Sequence, residues 1–149
     1  MPNKYMERRS VRNALSTYLS GLDWVGVTFE EGFLLDAAIV VPCVGIYFMP
    51  SNFKALQMGR ANDNSVTRVV QIDCYMESEP RADAISEAIA EYIELNSIPI
   101  KDKDNNEIGV LTSNSESITW QTVPPILSNP KVIRWRSIIR ITFHAYYYE

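Results

Sequence analysis

The chain has 149 residues, of which 46% are hydrophobic and 21% charged, and a formal net charge of −4. The length suits one domain, spanning residues 1–149, with a core that needs no metal or disulfide staple. The composition excludes collagen-like, disordered and disulfide-scaffold classes, and the negative balance argues against a general nucleic-acid binder.

The first element reads as a helix from about Asn3 to Ser20. Val11, Ala14, Leu15, Tyr18, Leu19 and Leu22 recur at helical spacing. Arg9 and Arg12 project from the other side, and Gly21 stands where a left-handed cap belongs. Alternating Val25, Val27 and Phe29 predict a short strand, followed by a turn at Glu30-Glu31-Gly32. Ile39 to Met49 is β-branched and nearly continuously apolar, the pattern of a strand covered on both faces. Pro42 belongs at its start or at a bulge.

Ser51–Asn64 has no period and ends in the turn-prone Asn62-Asp63-Asn64. Because it joins two strands, it reads as an extended hairpin arm. Thr67 to Met76 then alternates, with Val70, Ile72, Cys74 and Met76 on one face and Val69, Gln71, Asp73 and Tyr75 on the other. Ser78-Glu79-Pro80 opens a second helix, whose buried stripe is Ala82, Ile85, Ala88, Ile89, Tyr92 and Ile93. Pro99 ends the helical region, and residues 101–106 form a polar turn. Ile108–Leu111 and Ile118–Thr122 read as a weak hairpin, and Val123-Pro124-Pro125 as a loop. The last strand runs from Trp135. Its odd positions through Tyr147 are largely apolar, whereas the even ones carry Arg134, Arg136, Arg140 and His144. The expected fold is therefore α+β: a mixed, mostly antiparallel sheet with two main helices packed on it and a long hairpin arm.

Enzyme and metal motifs are missing. The single histidine excludes HExxH and His-rich sites, and two cysteines are too few for structural zinc. Gly21 and Gly26 match P-loop spacing, but Val27 stands where the lysine belongs. Asp73 and Cys74 are strand neighbours and point to opposite faces, so they cannot share a triad with His144. His144 reads as a partly exposed structural histidine. Cys43 and Cys74 read as buried thiols of a cytosolic product; a disulfide between them would require neighbouring strands. The apolar run Ala37–Met49 is broken by Pro42 and Gly45. It falls short of the roughly 20 residues of a membrane span, and the charged N-terminus has no apolar stretch of a signal peptide behind it.

Charge is unevenly distributed. Residues 1–12 carry Lys4, Arg8, Arg9 and Arg12 against Glu7, and residues 131–149 carry Lys131, Arg134, Arg136 and Arg140 against Glu149. That leaves 6 basic and 16 acidic residues between them. On the second helix, Asp83, Glu87, Glu91 and Glu94 form one acidic line. These features are either solvated faces or complementary surfaces between copies. The candidate subunit or partner interface comprises Arg134, Arg136 and Arg140 of the last strand, Lys54 and Arg60 of the arm, and the acidic line Asp83, Glu87, Glu91 and Glu94. The terminal Tyr146-Tyr147-Tyr148 either docks on another subunit or pins the terminus.

The order of these elements resembles the tail terminator, or tail-completion, proteins of tailed bacteriophages and related neck proteins. The resemblance is carried by the N-terminal helix over Val11–Leu22, the apolar strand Val40–Phe48, and the strand Val-Val-Gln-Ile-Asp-Cys-Tyr at 69–75. The helix opening with Arg81-Ala82-Asp83-Ala84 and the final strand Ile-Ile-Arg-Ile-Thr-Phe-His-Ala-Tyr at 138–146 complete it. The resemblance implies a non-enzymatic virion protein, made in the host cytoplasm, that forms a ring of six copies on the tail tube. Its partners would be the tail tube protein and the head-tail connector or stopper protein. DNA would pass through the lumen without sequence-specific binding, and neither cofactor nor membrane would be involved. Alternative readings are another neck, head-completion or tail-tube component, or more distantly a small α+β ligand-binding module or enzyme.

Overall fold

Among the described residues, the apolar periodicities become two helices and seven strands. In the computed structural model the described residues are 4–24, 26–31, 41–49, 65–113, 116, 118–123 and 135–148. In chain order the elements are α1 (Lys4–Gly21), β1 (Thr28–Glu31), β2 (Cys43–Met49), β3 (Ser65–Met76), α2 (Glu79–Leu95), β4 (Ile98–Lys101), β5 (Glu107–Thr112), β6 (Ile118–Val123) and β7 (Trp135–Tyr147).

α1 buries Val11, Leu15 and Leu19 completely, as its spacing predicts, whereas Leu22 lies past the helix and is exposed. The left-handed cap falls on Asp23 (φ 63°) and not on Gly21. Trp24 N donates to Leu19 O at 3.1 Å and Asp23 N to Ser20 O at 3.3 Å, the paired bonds that satisfy the last carbonyls of a helix. α2 begins at the Ser78 N-cap, whose hydroxyl accepts from Arg81 N at 3.4 Å. It buries Ala82, Ile85, Ile89 and Ile93.

The strands form one sheet in the order β1-β2-β3-β7-β5-β4, with β6 also paired to β7. All pairs are antiparallel except β1 with β2. On one face, Val70, Ile72 and Cys74 of β3 lie opposite Ile141, Ile139 and Ser137 of β7. Val44 and Ile46 of β2 extend that row. These side chains meet the buried stripes of both helices in a single core that also takes in Phe143 and Ala145. The α+β architecture with two helices on a mixed, mostly antiparallel sheet is therefore what the alternation and helical spacing describe.

Three local expectations need correction. Glu30 and Glu31 lie in β1 and not in a turn, paired parallel with Gly45 and Ile46. Pro99 does not end a helix. α2 stops at Leu95, where the Asn96 side-chain amide donates to Tyr92 O at 3.0 Å, and Pro99 sits inside β4. That strand is an edge, where a missing donor does no harm. β5 and β6 are not a hairpin with each other: β5 pairs with β4 and with Gly109-to-Thr112 partners in β7, whereas β6 pairs with β7 over Arg136–Ile141. The two strands thus share one edge of β7, one after the other. The cysteines are buried thiols as expected: β2 and β3 are neighbours, but the register sets Cys74 opposite Val44 and Cys43 opposite Tyr75. The two thiols face opposite sides of the sheet and are free. The segment 51–64, expected to form a hairpin arm, lies outside the described residues.

Candidate functional site

β7 divides its side chains as its alternation requires. The odd positions enter the core, and the even ones stand on the face away from both helices. There the polar side chains of β3 and β7 interlock. Arg136 donates from Nη2 to Asp73 Oδ2 at 2.8 Å, Gln71 Nε2 donates to Asp73 Oδ1 at 2.9 Å, and Tyr75 OH donates to Asp73 Oδ2 at 3.4 Å. Arg140 Nε donates to Gln71 Oε1 at 3.1 Å. The Arg136 guanidinium also lies 5.8 Å from the Tyr75 ring centroid. Asp73 and Gln71 are each only 4% exposed, so the lattice is fixed from below and presents the arginines outward.

The electrostatics follow from this packing. Burial, together with the Asp73 carboxylate, pushes the Tyr75 hydroxyl up to about 12. Burial opposes the Arg136 charge, but its hydrogen bond and charge pairing with Asp73 outweigh that, and its pKa rises. The arginine row is consequently not uniform. Arg136 is neutralised by Asp73, whereas among the described residues exposed Arg140 bonds only to a neutral amide. Arg134, Lys54 and Arg60 lie outside the described residues.

The acidic line is where helical spacing places it. Asp83, Glu87, Glu91 and Glu94 are all exposed on α2. Thr122 of β6 donates to Asp83 Oδ1 at 2.5 Å. Beside this contact, Glu87, Glu91 and Glu94 line a groove of about 250 Å³ together with Ala90, Ile118 and Trp120. Among the described candidates, Arg136 and Arg140 lie on the sheet face away from α1 and α2, and the carboxylates lie on the helix layer. These described candidates are not brought together within one copy.

A second polar centre was missed by the sequence reading. Glu7 of α1 is wholly buried. It accepts from Arg68 Nε at 2.8 Å and from Tyr147 OH at 2.5 Å. The available signal was its position four residues before Val11, on the apolar stripe of α1. Arg9 was assigned only to the far side of α1. Its Nη2 donates to Asp102 O at 2.7 Å, and Ser10 Oγ accepts from Lys101 N at 3.1 Å. These bonds clamp α1 to the β4–β5 turn. His144 is exposed, and among the described residues no group of three or more His, Cys, Asp and Glu side chains could hold a metal. Among them, too, no helix is long and apolar enough to cross a membrane.

The sequence matches no protein-family model, and no curated protein matches it.

Proposed function

We propose that this protein is a ring-forming tail terminator of a tailed bacteriophage or a close neck relative. It would cap the tail tube and offer a second surface to the head connector. The observation that carries the reading is the separation of charge between layers: exposed carboxylates on α2, and an outward Arg140 on the opposite sheet face. A subunit of a ring seated on a tube touches its ring neighbours and the tube or connector through different patches, and so needs chemically different surfaces on one copy. The resemblance in the order of elements to tail-terminator proteins supports the same reading. Its mechanism would be geometric, resting on apolar burial and charge complementarity with no covalent step.

Within this reading the sheet face that carries Arg140 meets the tube or connector. Its polar side chains are already held by one another, so little ordering entropy is lost on docking. Arg140→Glu is the clean probe. Reversing Arg136 as well would strand the buried Asp73 carboxylate, a change that costs about 3–5 kcal/mol. The single variant loses its bond to Gln71 and should lose about 1–3 kcal/mol of unfolding free energy, staying folded by circular dichroism while losing the capping of tube ends in negative-stain images. Normal capping by Arg140→Glu would mean that this face is merely solvated.

A further inference from the structure

We propose that the α2–β6 flank of one copy docks into the groove between α1 and the β4–β5 hairpin of a second copy of this chain. The first surface combines an aromatic anchor with negative charge. Trp120 is 55% exposed and is bordered by Glu87, Glu91 and Glu94. An exposed tryptophan carries a large apolar surface, and residues of this kind dominate interface energies. Within its own copy it is only partly covered, because β6 pairs at its outer positions with nothing beyond β7 among the described residues.

The second surface has the matching chemistry. A groove of about 610 Å³ has Tyr18, Tyr92 and Pro99 among its walls, and Arg9, Lys101 and Lys103 supply its cations. The two tyrosine rings stack at 4.4 Å between centroids and form a rigid aromatic wall. Arg9 is already anchored to the hairpin by its bond to Asp102 O, so its charge is positioned in advance. The groove also contains Asp102, which lowers the positive excess without cancelling it. Tryptophan faces an aromatic wall, and three carboxylates face three cations.

The placement also suits repeated assembly. At about 100° per residue, Glu87, Glu91 and Glu94 lie roughly 100–160° around α2 from Tyr92. The two surfaces therefore open on different flanks of the same helix and share no residue. A copy that fills its neighbour's groove still presents its own, which is the heterologous contact that generates a ring. The inference rests on the ring reading above and names its side-to-side contact.

The test is solution mass over a concentration series at low salt for wild type, Glu91→Lys, Lys103→Glu, the double variant and Trp120→Ala. Negative-stain images would be recorded in parallel. All three altered side chains are exposed, and circular dichroism checks the fold. Each reversal and the tryptophan truncation should weaken self-association by about tenfold or more. The double variant, which restores opposite charges across the contact, should recover most of the loss. Rings formed equally well by both reversals would overturn this contact and leave the ring reading intact. A wild type that stays monomeric, with no disulfide crosslink between Glu91→Cys and Lys103→Cys copies, would overturn it too. The ring reading would then fall separately if tube ends also remain uncapped.

Discussion

Tyr75 shows how much one residue's surroundings decide. Its hydroxyl is held in the neutral form by burial and by the adjacent Asp73 carboxylate, with a pKa of about 12. A folded-state pKa raised above the ordinary value near 10 means that this stabilisation is complete below about pH 10. It is lost progressively as pH climbs toward 12. Burial pushes the Cys74 thiol up as well, and it contributes in the same direction. Chemical-unfolding midpoints at pH 7, 10 and 11.5 should therefore fall in wild type and fall less steeply in Tyr75→Phe. Equal slopes would mean that the tyrosine is not responsible. The alternation of β3 placed Asp73 and Tyr75 on one face from sequence alone. That Arg136 answers Asp73 was not legible, because the partner lies on a strand whose register only the fold determines.

At the scale of elements, strong periods were readable and weak ones were not. α1, α2, β3 and β7 each repeat their pattern over more than ten residues, and their burial follows it. β1 and β4 are four residues each, too short for a period to outvote a Glu-Glu-Gly or a proline. β5 and β6 were seen as strands but given each other as partners, since sequence proximity favours hairpins and nothing local reveals that β7 is long enough to serve both. The candidate surfaces divide alike: the acidic line is a property of one helix and lies exposed along α2 as its spacing predicts, whereas the groove proposed to receive it in a second copy joins α1, α2 and the β4–β5 hairpin. The β5–β7 seam carries a testable constraint. A Cβ added at Gly109 would collide with the Tyr146 carbonyl and lie 3.1 Å from Tyr147 Cα. Backbone cannot yield as a side-chain tip can, so Gly109→Ala should lose about 1–3 kcal/mol in equilibrium unfolding. A stability unchanged from wild type would show that the two strands can separate there.

Across the whole molecule, the Glu7 centre joins parts that are remote in sequence. Arg68 lies 61 positions from Glu7, and Tyr147 lies 140 positions from it. The three groups bind α1, β3 and β7 around one buried carboxylate. Removing a partner from such a centre is worse than never having built it, because the remaining charge stays out of water. Arg68→Ala should therefore cost about 3–5 kcal/mol, and Tyr147→Phe, which deletes only the hydroxyl, about 1 kcal/mol. Urea midpoints would measure both, and equal losses would argue against the charge as the dominant element.

The central place of β7 bears on how the protein comes into being. During synthesis, β3 emerges long before the strand that covers its second edge. Until residues 135–147 leave the ribosome, its twelve residues have β2 on one side and an open row of backbone donors and acceptors on the other. Such an edge is sticky toward any other extended chain, and pairings this distant in sequence form slowly. Newly made copies thus pass through a vulnerable interval in which crowded production favours clumping. Slower expression at lower temperature would give each chain time to close over its own middle.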